Sequence, residues 1–476
     1  MKKAIVIGAG LGGLSAAITM QSKGVDVTVF DENPHAGGKM MSVDSEGFHF
    51  DFGPNTMTMP HVFQQVIKQA GENPDEYFTF QKLTRHTRNV FADGSELWQT
   101  ADEKSMIREL DRFGPHTYDR YTEEVRRLYT LAESHFFHRT FRSWKDYLSP
   151  SLAGAMAQVR PLESMDHFHR RFFSDERVLQ VFNRYATYIG SSPFKAPATF
   201  SLIGHLEMND GVYYVKGGNV KIAHAFQSVF EKKGGSLQLN TRVKRLIVRN
   251  QKAVGVELQS GETVEADFVV INGDFVTATR SLIDEGDRPT YQNRKLDRFH
   301  PSISAFVMMI GKRERIMDLP HHQVMFTSDY EGEFRQIFQE NRMPEDPTIY
   351  ISHSAATDPA VTSGSNLFVL VNAPAAEVNP ERYKEQIYER LLQKGVNIGA
   401  PDFEKVIAPQ DIARQFSAYK GALYGISSHN LKDSFLRPRN GHPDLSNVYY
   451  AGGTTHPGGG SPMVVLSGLN VPFSGE

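Results

Sequence analysis

The chain has 476 residues, of which 40% are hydrophobic, and its 52 basic and 55 acidic side chains leave a formal net charge of -3. This length exceeds what one hydrophobic core organises and predicts about two or three domains. A nearly balanced charge with no basic stripe argues against a nucleic-acid partner. The sequence contains no cysteine, which excludes disulfides, iron–sulfur clusters and thioether-linked cofactors and fits a reducing compartment.

The N-terminus begins like a secretory signal, with Lys2 and Lys3 before an apolar run. The glycines from Gly8 to Gly13 interrupt that run, so we interpret it as a buried core strand. No other segment approaches the roughly twenty apolar residues that cross a bilayer. We therefore expect a protein that is soluble or bound to a membrane surface.

A glycine-rich turn follows the predicted first strand, Lys3–Ile7, in the order Gly8-Ala9-Gly10-Leu11-Gly12-Gly13. Gly8 suits the tight turn, Gly10 lets phosphates approach the backbone, and Gly13 lets the next helix pack on the sheet. A pyrophosphate needs free amides at a helix N-terminus and no side chains in the way. This pattern predicts a dinucleotide site.

The rest of the unit has the expected order of elements. A helix is predicted from about Leu14 to Gly24, and an alternating strand from Val25 to Phe30. Asp31 ends this strand, where a carboxylate accepts hydrogen bonds from the adenosine ribose and repels a phosphorylated one. These residues alone leave NAD and FAD both open.

The C-terminal region has a second glycine-rich strand-to-helix turn. Val448 to Ala451 is predicted to enter the sheet, and a helix is predicted to begin near Pro462, since proline is favoured at the first helical position. The N-terminus of that helix would direct amides and a positive dipole toward a bound group.

Three motifs carry a resemblance to a known family. Gly37-Gly38-Lys39 and the segment from Gly47 to Gly53-Pro54 resemble motifs of the flavin amine oxidase and carotenoid desaturase superfamily, which usually has Arg in place of Lys39. A lysine keeps the positive charge that attracts phosphate, but it lacks the paired N–H donors with which an arginine binds two phosphate oxygens at once. The segment from Asn447 to Met463 is similar to the closing motif of bacterial carotenoid (phytoene and diapophytoene) desaturases.

The resemblance implies an α/β fold. It consists of a Rossmann-like FAD-binding domain of the glutathione reductase type, a discontinuous α+β substrate domain and a helical part that associates with the membrane. We assign residues 1–76, 209–285 and 409–476 to the FAD-binding domain, 77–208 to the helical insert and 286–408 to the α+β substrate domain.

The resemblance also implies the site. His456, in the closing motif, is placed near the flavin and assigned as the catalytic candidate, with positioning as its first role. The cofactor is FAD, bound noncovalently. The implied FAD-binding residues are Gly8, Ala9, Gly10, Gly12, Gly13, Asp31, Glu32, Gly38, Lys39, Gly53, Pro54, Val243, Gly452, Gly459 and Met463.

Several histidine pairs could in principle bind a metal, but we expect none to do so. His135 with His138, His167 with His169, and His321 with His322 lack further ligands in the sequence. No cysteine and no HExxH pattern support them.

The implied activity is desaturation of a long isoprenoid polyene precursor by hydride transfer to flavin. The close alternative is oxidation of thirty-carbon carotenoids at a terminal methyl group, a branch that Ile189–Pro197 and Pro457–Gly468 resemble. Lesser alternatives are a carotenoid isomerase, an amine oxidase and a non-enzymatic prenyl-lipid escort protein.

The resemblance implies an apolar polyene substrate, a membrane surface as partner, quinone or oxygen as electron acceptor, and a cytoplasmic, membrane-peripheral location. The segment from His135 to Leu148 is either a buried helix pair, which we prefer, or a membrane-contacting one. The family continues with a further helix after Gly468, whereas Pro472 ends this helix early, so weaker membrane docking is expected.

Overall fold

The computed structural model describes residues 1–142, 144–429 and 431–472. The side chains of Trp144, Tyr147, Leu431 and Lys432 lie outside this description. The expected burial of the segment from His135 to Leu148 is therefore untested at the rings of Trp144 and Tyr147. Residues 473–476, which follow Pro472, also lie outside the described residues.

The strands of the described residues are β1 (Lys3–Ile7), β2 (Asp26–Phe30), β3 (Met41–Ser45), β4 (Phe48–Phe52), β5 (Phe80–Leu83), β6 (Arg85–Val90), β7 (Glu96–Thr100), β8 (Val212–Val215), β9 (Ser236–Gln238), β10 (Val243–Arg249), β11 (Lys252–Leu258), β12 (Thr263–Glu265), β13 (Phe268–Ile271), β14 (Ser304–Lys312), β15 (His322–Met325), β16 (Ile349–His353), β17 (Ser365–Ala373), β18 (Phe403–Ile407) and β19 (Val448–Tyr450). The helices are α1 (Leu11–Gln21), α2 (Pro60–Gln69), α3 (Glu103–Leu110), α4 (Tyr118–Ala132), α5 (Pro150–Gln158), α6 (Met165–His169), α7 (Glu176–Asn183), α8 (Ile203–His205), α9 (Lys221–Lys232), α10 (Phe275–Leu282), α11 (Asn293–Leu296), α12 (Tyr330–Phe338), α13 (Pro380–Gln393), α14 (Pro409–Phe416), α15 (Leu431–Phe435) and α16 (Ser461–Leu469).

A parallel five-stranded sheet of order β19-β13-β1-β2-β9 forms the centre of the nucleotide-binding part. Val6 of β1 is paired with Val29 on one side and with Val270 on the other, and all three are buried. Strands covered on both faces are apolar throughout, as this sheet requires. The predicted first strand is confirmed residue for residue, whereas α1 begins at Leu11, before the predicted Leu14, because Gly10 already serves as its N-cap.

A second, antiparallel sheet of order β10-β11-β12 packs beside the first. Its buried side chains share one core with the outward face of β13, through residues such as Val256 and Val269. A turn at Ser260-Gly261 joins β11 to β12, and Gly261 takes a φ of 91° there.

A mixed seven-stranded sheet of order β18-β14-β17-β16-β15-β6-β7 forms the substrate part. Its last two strands, β6 and β7, belong to the helical insert (77–208). They join the sheet through the parallel pairing of β15 with β6. We expected the first insert to be helical throughout, and β6 and β7 correct that expectation. Their pairing partner lies more than two hundred residues later in the chain, so no local periodicity indicates it.

The helices between β7 and β8 pack around aromatic side chains. The Tyr121 ring lies 4.8 Å from that of Phe182, which stacks on Phe173 at 4.3 Å between centroids. In the segment from His135 to Leu148, Phe137 and Phe141 are buried whereas Leu148 is 65% exposed, so the preferred burial holds for only part of that segment. None of the described helices is both long and apolar enough to cross a bilayer.

Helix α13 of the α+β substrate domain buries one face. Asn379 caps it by accepting a hydrogen bond from the Arg382 amide, and Tyr383, Ile387 and Leu391 form its buried stripe. This stripe packs on the seven-stranded sheet.

Candidate active site

The first glycine turn forms a close-packed cradle at the N-terminus of α1. Gly8 has a φ of 102°, and a Cβ on Gly13 would overlap the Gly8 carbonyl oxygen. The N-cap Gly10 gives α1 no side-chain cap, so its first amides remain available to an anion. The residues present therefore fit a pyrophosphate, as the sequence predicts.

Asp31 lies directly under this turn. Its Oδ2 accepts from the Ala9 amide at 2.7 Å and its Oδ1 from the Asn33 amide at 2.8 Å. Glu32 is more exposed and accepts a hydrogen bond from Ser417 Oγ at 2.9 Å. Asp31 thus fixes the turn while lying at the strand end where a ribose would be bound.

The second glycine motif closes the cradle from the opposite side. The Gly37 amide donates to the Ala9 carbonyl at 2.8 Å, and Gly38 lies against Gly10. Lys39, in contrast, is half-buried, and its Nζ donates to the Leu423 carbonyl at 2.9 Å. Burial lowers the pKa of Lys39, opposed by the nearby Asp274 carboxyl.

Val243 begins β10 and is buried. Two residues earlier, the Thr241 amide donates to the Asp31 carbonyl at 2.8 Å. The segment that leads to the implied cofactor residue Val243 therefore adjoins Asp31, which is predicted to bind the ribose.

The closing motif brings β19 and α16 to the same place. The Gly452 amide donates to Ser467 Oγ at 2.7 Å, and a Cβ on Gly452 would lie 2.9 Å from Asn272 Oδ1. Gly460, the N-cap of α16, provides no side-chain cap. Gly452 lies against Gly12 of the first turn and Gly453 against Gly459, so the closing motif runs from the N-terminus of α1 to a second uncapped helix N-terminus.

A cavity of about 270 Å³ extends from this second N-terminus into the substrate part. Predicted residues from both ends of the chain line it together: Gly53, Pro54, Gly459 and Met463. The other predicted cofactor residues surround the glycine turns.

The far wall of the cavity is mostly apolar. The helical insert contributes Phe137, Leu202 and Leu206, and the seven-stranded sheet contributes Val324 and Leu370. Such a wall suits a hydrocarbon chain, because burial of apolar surface stabilises its binding.

His456 is buried behind the cavity wall rather than within it. Its Nε2 lies 2.8 Å from the Phe136 carbonyl oxygen and therefore carries the proton that is donated, and its ring meets Phe141 edge-on at 4.6 Å. Burial lowers the pKa of His456 to about 4. The side chain thus joins the closing motif to the helical insert.

Two buried cations that sequence reasoning missed, Arg437 and Arg184, line the same cavity. Arg437 donates to Ser428 Oγ at 2.9 Å and to the Tyr424 carbonyl at 3.0 Å. Burial lowers its pKa to about 10. Neither arginine lies in a glycine motif, so only their burial distinguishes them from surface arginines.

Within the described ranges, no three histidine or acidic side chains are grouped closely enough to hold a metal ion. The rings of His321 and His322 are adjacent, but His321 Nδ1 pairs with Thr357 Oγ1 at 2.7 Å.

Two facing glycine turns on a parallel sheet, with a cavity at their common edge, define a flavin-dependent oxidoreductase. A family model described as "Flavin containing amine oxidoreductase" matches residues 11–471. The chain belongs to this family, among its carotenoid desaturases and oxygenases.

The similar proteins span the chain almost completely. A 4,4'-diapolycopene oxygenase of Methylomonas sp is 32% identical over 98% of this chain and 96% of its own length. A 1-hydroxycarotenoid 3,4-desaturase of a Flavobacterium species is 32% identical over 98% and 97%. Among solved structures, an oxidoreductase from Methanosarcina mazei shares the fold with a TM-score of 0.63 at 17% identity, over 98% of this chain and 99% of that one.

Proposed function

We propose that the cofactor is FAD, bound noncovalently along the two glycine turns. The pyrophosphate would lie on the α1 amides, the ribose at Asp31 and Glu32, and the flavin ring between Gly53-Pro54 and the N-terminus of α16. The uncapped helices support this assignment. Acid precipitation of the purified protein should release all flavin into the supernatant, whereas flavin retained in the pellet would contradict noncovalent binding.

The proposed reaction is desaturation of a long isoprenoid polyene precursor. The observation that carries it is the mostly apolar cavity that begins at the proposed flavin site and leads between the helical insert and the sheet. A bound flavin accepts a hydride from an activated carbon–hydrogen bond. The chain itself would hold the polyene in register, exclude water and fix the ring through the α16 amides.

A second candidate is oxidation of a terminal methyl group of a thirty-carbon carotenoid. It is supported by the 4,4'-diapolycopene oxygenase among the relatives and by Ile189 in the cavity wall, within the segment that resembles that branch. Both reactions would use the same cavity and cofactor.

Expression in hosts that accumulate thirty-carbon or forty-carbon precursors distinguishes the two reactions. New conjugation without added oxygen, read from pigment spectra and masses, is expected for a desaturase. Added oxygen mass would instead support the terminal oxidase. Unchanged pigments with every precursor, in cells that contain flavin-loaded protein, would overturn both.

We further propose that the protein works at the cytoplasmic membrane surface and passes electrons to quinone or oxygen. Leu148 and Leu162 support a surface role, since they are 65% and 88% exposed on the helical insert. Reoxidation of the reduced protein by a soluble quinone under nitrogen, compared with air, tests the acceptor. Failure of both to restore the oxidised flavin spectrum would contradict this assignment.

A further inference from the structure

A buried ion pair lies at the cavity wall, outside every glycine motif. Arg184 follows α7 in a short helical turn, is 7% exposed and lines the cavity. Glu207 is fully buried, with its Oε2 at 3.6 Å from Arg184 Nη2. A charge in such surroundings is costly unless polar groups compensate it.

The protein compensates this guanidinium only in part. Arg184 Nη1 donates to Tyr188 Oη at 2.8 Å, and Tyr188 Oη donates to Glu207 Oε1 at 2.6 Å. Arg184 Nη2 reaches Glu207 Oε2 only at 3.6 Å, beyond hydrogen-bond distance, whereas Nε, which has no partner among the described residues, is buried. Because a guanidinium has five N–H donors and no acceptor, Nη2 is the donor that this cavity-lining side chain offers to whatever fills the cavity.

The histidines near Arg184 do not supply hydrogen-bond acceptors for its guanidinium. Burial, with Arg184 as a further cause, lowers the pKa of His86 to about 3. Burial also lowers the pKa of His322, whose Nδ1 pairs with Tyr350 Oη at 2.9 Å. Neither imidazole accepts a hydrogen bond from Arg184, because His86 Nδ1 pairs with Thr87 Oγ1, His322 Nδ1 pairs with Tyr350, and both Nε2 atoms have no partner among the described residues. A pure hydrocarbon would desolvate Arg184 and give no hydrogen bond in return.

We propose that Arg184 binds an oxygen atom at one end of the substrate. The substrate class is then a polyene that already carries a terminal hydroxyl, aldehyde or carboxylate, whose shared chemistry is an acceptor oxygen. This inference rests on the polyene substrate of the proposed function. Arg184 determines specificity and takes no part in the electron transfer.

Binding of matched ligands to the flavin-loaded protein tests this. The probes share one linear polyene skeleton and end in a methyl, hydroxyl, aldehyde or carboxylate group. Wild-type protein is expected to bind at least one oxygenated probe about tenfold more tightly than the hydrocarbon, measured by fluorescence titration and by the shift in thermal midpoint. The relative affinities of the three oxygenated probes identify the end group. Equal affinity for all four probes would overturn the inference.

Arg184→Met alone would leave Glu207 buried without a partner, so the decisive variant is Arg184→Met with Glu207→Gln. It should lose the preference for oxygenated probes and keep hydrocarbon affinity within about twofold. Glu207→Gln alone retains Arg184 and should keep the preference. If the double variant fails to load flavin, Arg184→Lys is tested in its place. It should reduce the preference for oxygenated probes, because one ammonium cannot reproduce the planar set of N–H donors of a guanidinium. A preference that persists in the variant tested refutes the role of Arg184.

The outcome is separable from that of the proposed reaction. Efficient oxidation of a plain hydrocarbon precursor without any preference for oxygenated probes would overturn this inference and leave the reaction intact. Arg184-dependent binding of an oxygenated polyene, without oxidation of any polyene, would support the role of Arg184 and overturn the proposed reaction.

Discussion

His456 shows how burial decides what a titratable side chain can do. Its protonated Nε2 points to the Phe136 carbonyl, and its pKa of about 4 leaves it neutral above about pH 5. A neutral ring whose proton is already donated to the backbone holds the closing motif against the insert. It is poorly placed to exchange a proton with a substrate.

We therefore expect His456→Gln to lower kcat by less than about tenfold, since a general acid or base contributes about 100-fold or more. The glutamine amide can still donate to the Phe136 carbonyl. The shape of the pH profile of kcat between pH 5 and 8 should match that of the wild type, at unchanged flavin content. A loss of about 100-fold with a missing limb in the profile would show that His456 is catalytic.

Glu333 on α12 is a second buried titratable group. Burial raises the pKa of its carboxyl to about 7, although the Thr348 hydroxyl and amide both donate to it. In the unfolded chain this carboxyl titrates near its ordinary value of 4.5. Between these values the folded protein holds a proton that the unfolded chain has released. The resulting stability is complete below about pH 4.5 and is lost as the pH rises to about 7.

Glu333→Gln removes this titration. The free energy of unfolding of the variant, relative to wild type, should rise by up to about 3 kcal/mol between pH 4.5 and pH 7.5, measured by urea denaturation. Glu331→Gln, on the exposed side of the same helix, controls for the loss of one carboxyl. Parallel pH dependence of the Glu333→Gln and wild-type proteins would contradict the assignment.

At the scale of elements, the site depends on how closely α1 and α16 approach. Gly468 of α16 lies on Gly12 and Ser15 of α1, and Ser15 Oγ donates to the Val465 carbonyl at 3.0 Å. This contact holds the C-terminal half of α16 against the N-terminal end of α1. The phosphate and ring ends of the proposed flavin site are thus positioned by one helix pair.

Gly468→Ala should separate these helices, because a Cβ there would overlap the Gly12 carbonyl oxygen. We expect a loss of about 2 kcal/mol or more in stability and weaker flavin retention, measured by thermal unfolding and by flavin content after dialysis. Gly154→Ala on α5 is the matched control, since a Cβ added there would have no atom within 4 Å. It should be neutral or slightly stabilising. Full flavin retention in Gly468→Ala would contradict the packing argument.

At the scale of the molecule, the exposed apolar side chains predict which surface meets a membrane. Leu148 and Leu162 project from the helical insert, whereas Met317 and Leu392 are 82% and 60% exposed on the other insert. The helical insert also forms one wall of the cavity. An apolar substrate entering from a bilayer would therefore arrive on the Leu148 side.

Replacement of Leu148 and Leu162 by Asp should reduce co-sedimentation with phospholipid vesicles at least about tenfold, because two apolar side chains leave the interface. The paired replacement of Met317 and Leu392 by Asp should leave co-sedimentation unchanged. A wild-type protein that stays wholly in the supernatant would refute membrane association. Equal loss in both pairs would refute the chosen surface.

Local pattern accounts for the elements that the sequence predicts correctly. The strand Lys3–Ile7 is reproduced to the residue, and α16 begins one residue before Pro462. Apolar runs and glycine turns report backbone conformation directly. The flavin family was recognisable because these local signals lie in fixed order along the chain.

The sequence by itself determined the nucleotide-binding turns, since each follows from residues close together in the chain, and the motifs at both ends of the chain together indicated the class of cofactor. Only the tertiary structure decided that β6 and β7 complete the substrate sheet, that His456 faces a carbonyl behind the cavity, and that Arg184 and Glu207 meet at its wall. Strand pairing and burial join residues that are distant in sequence, and no spacing rule records which of them meet.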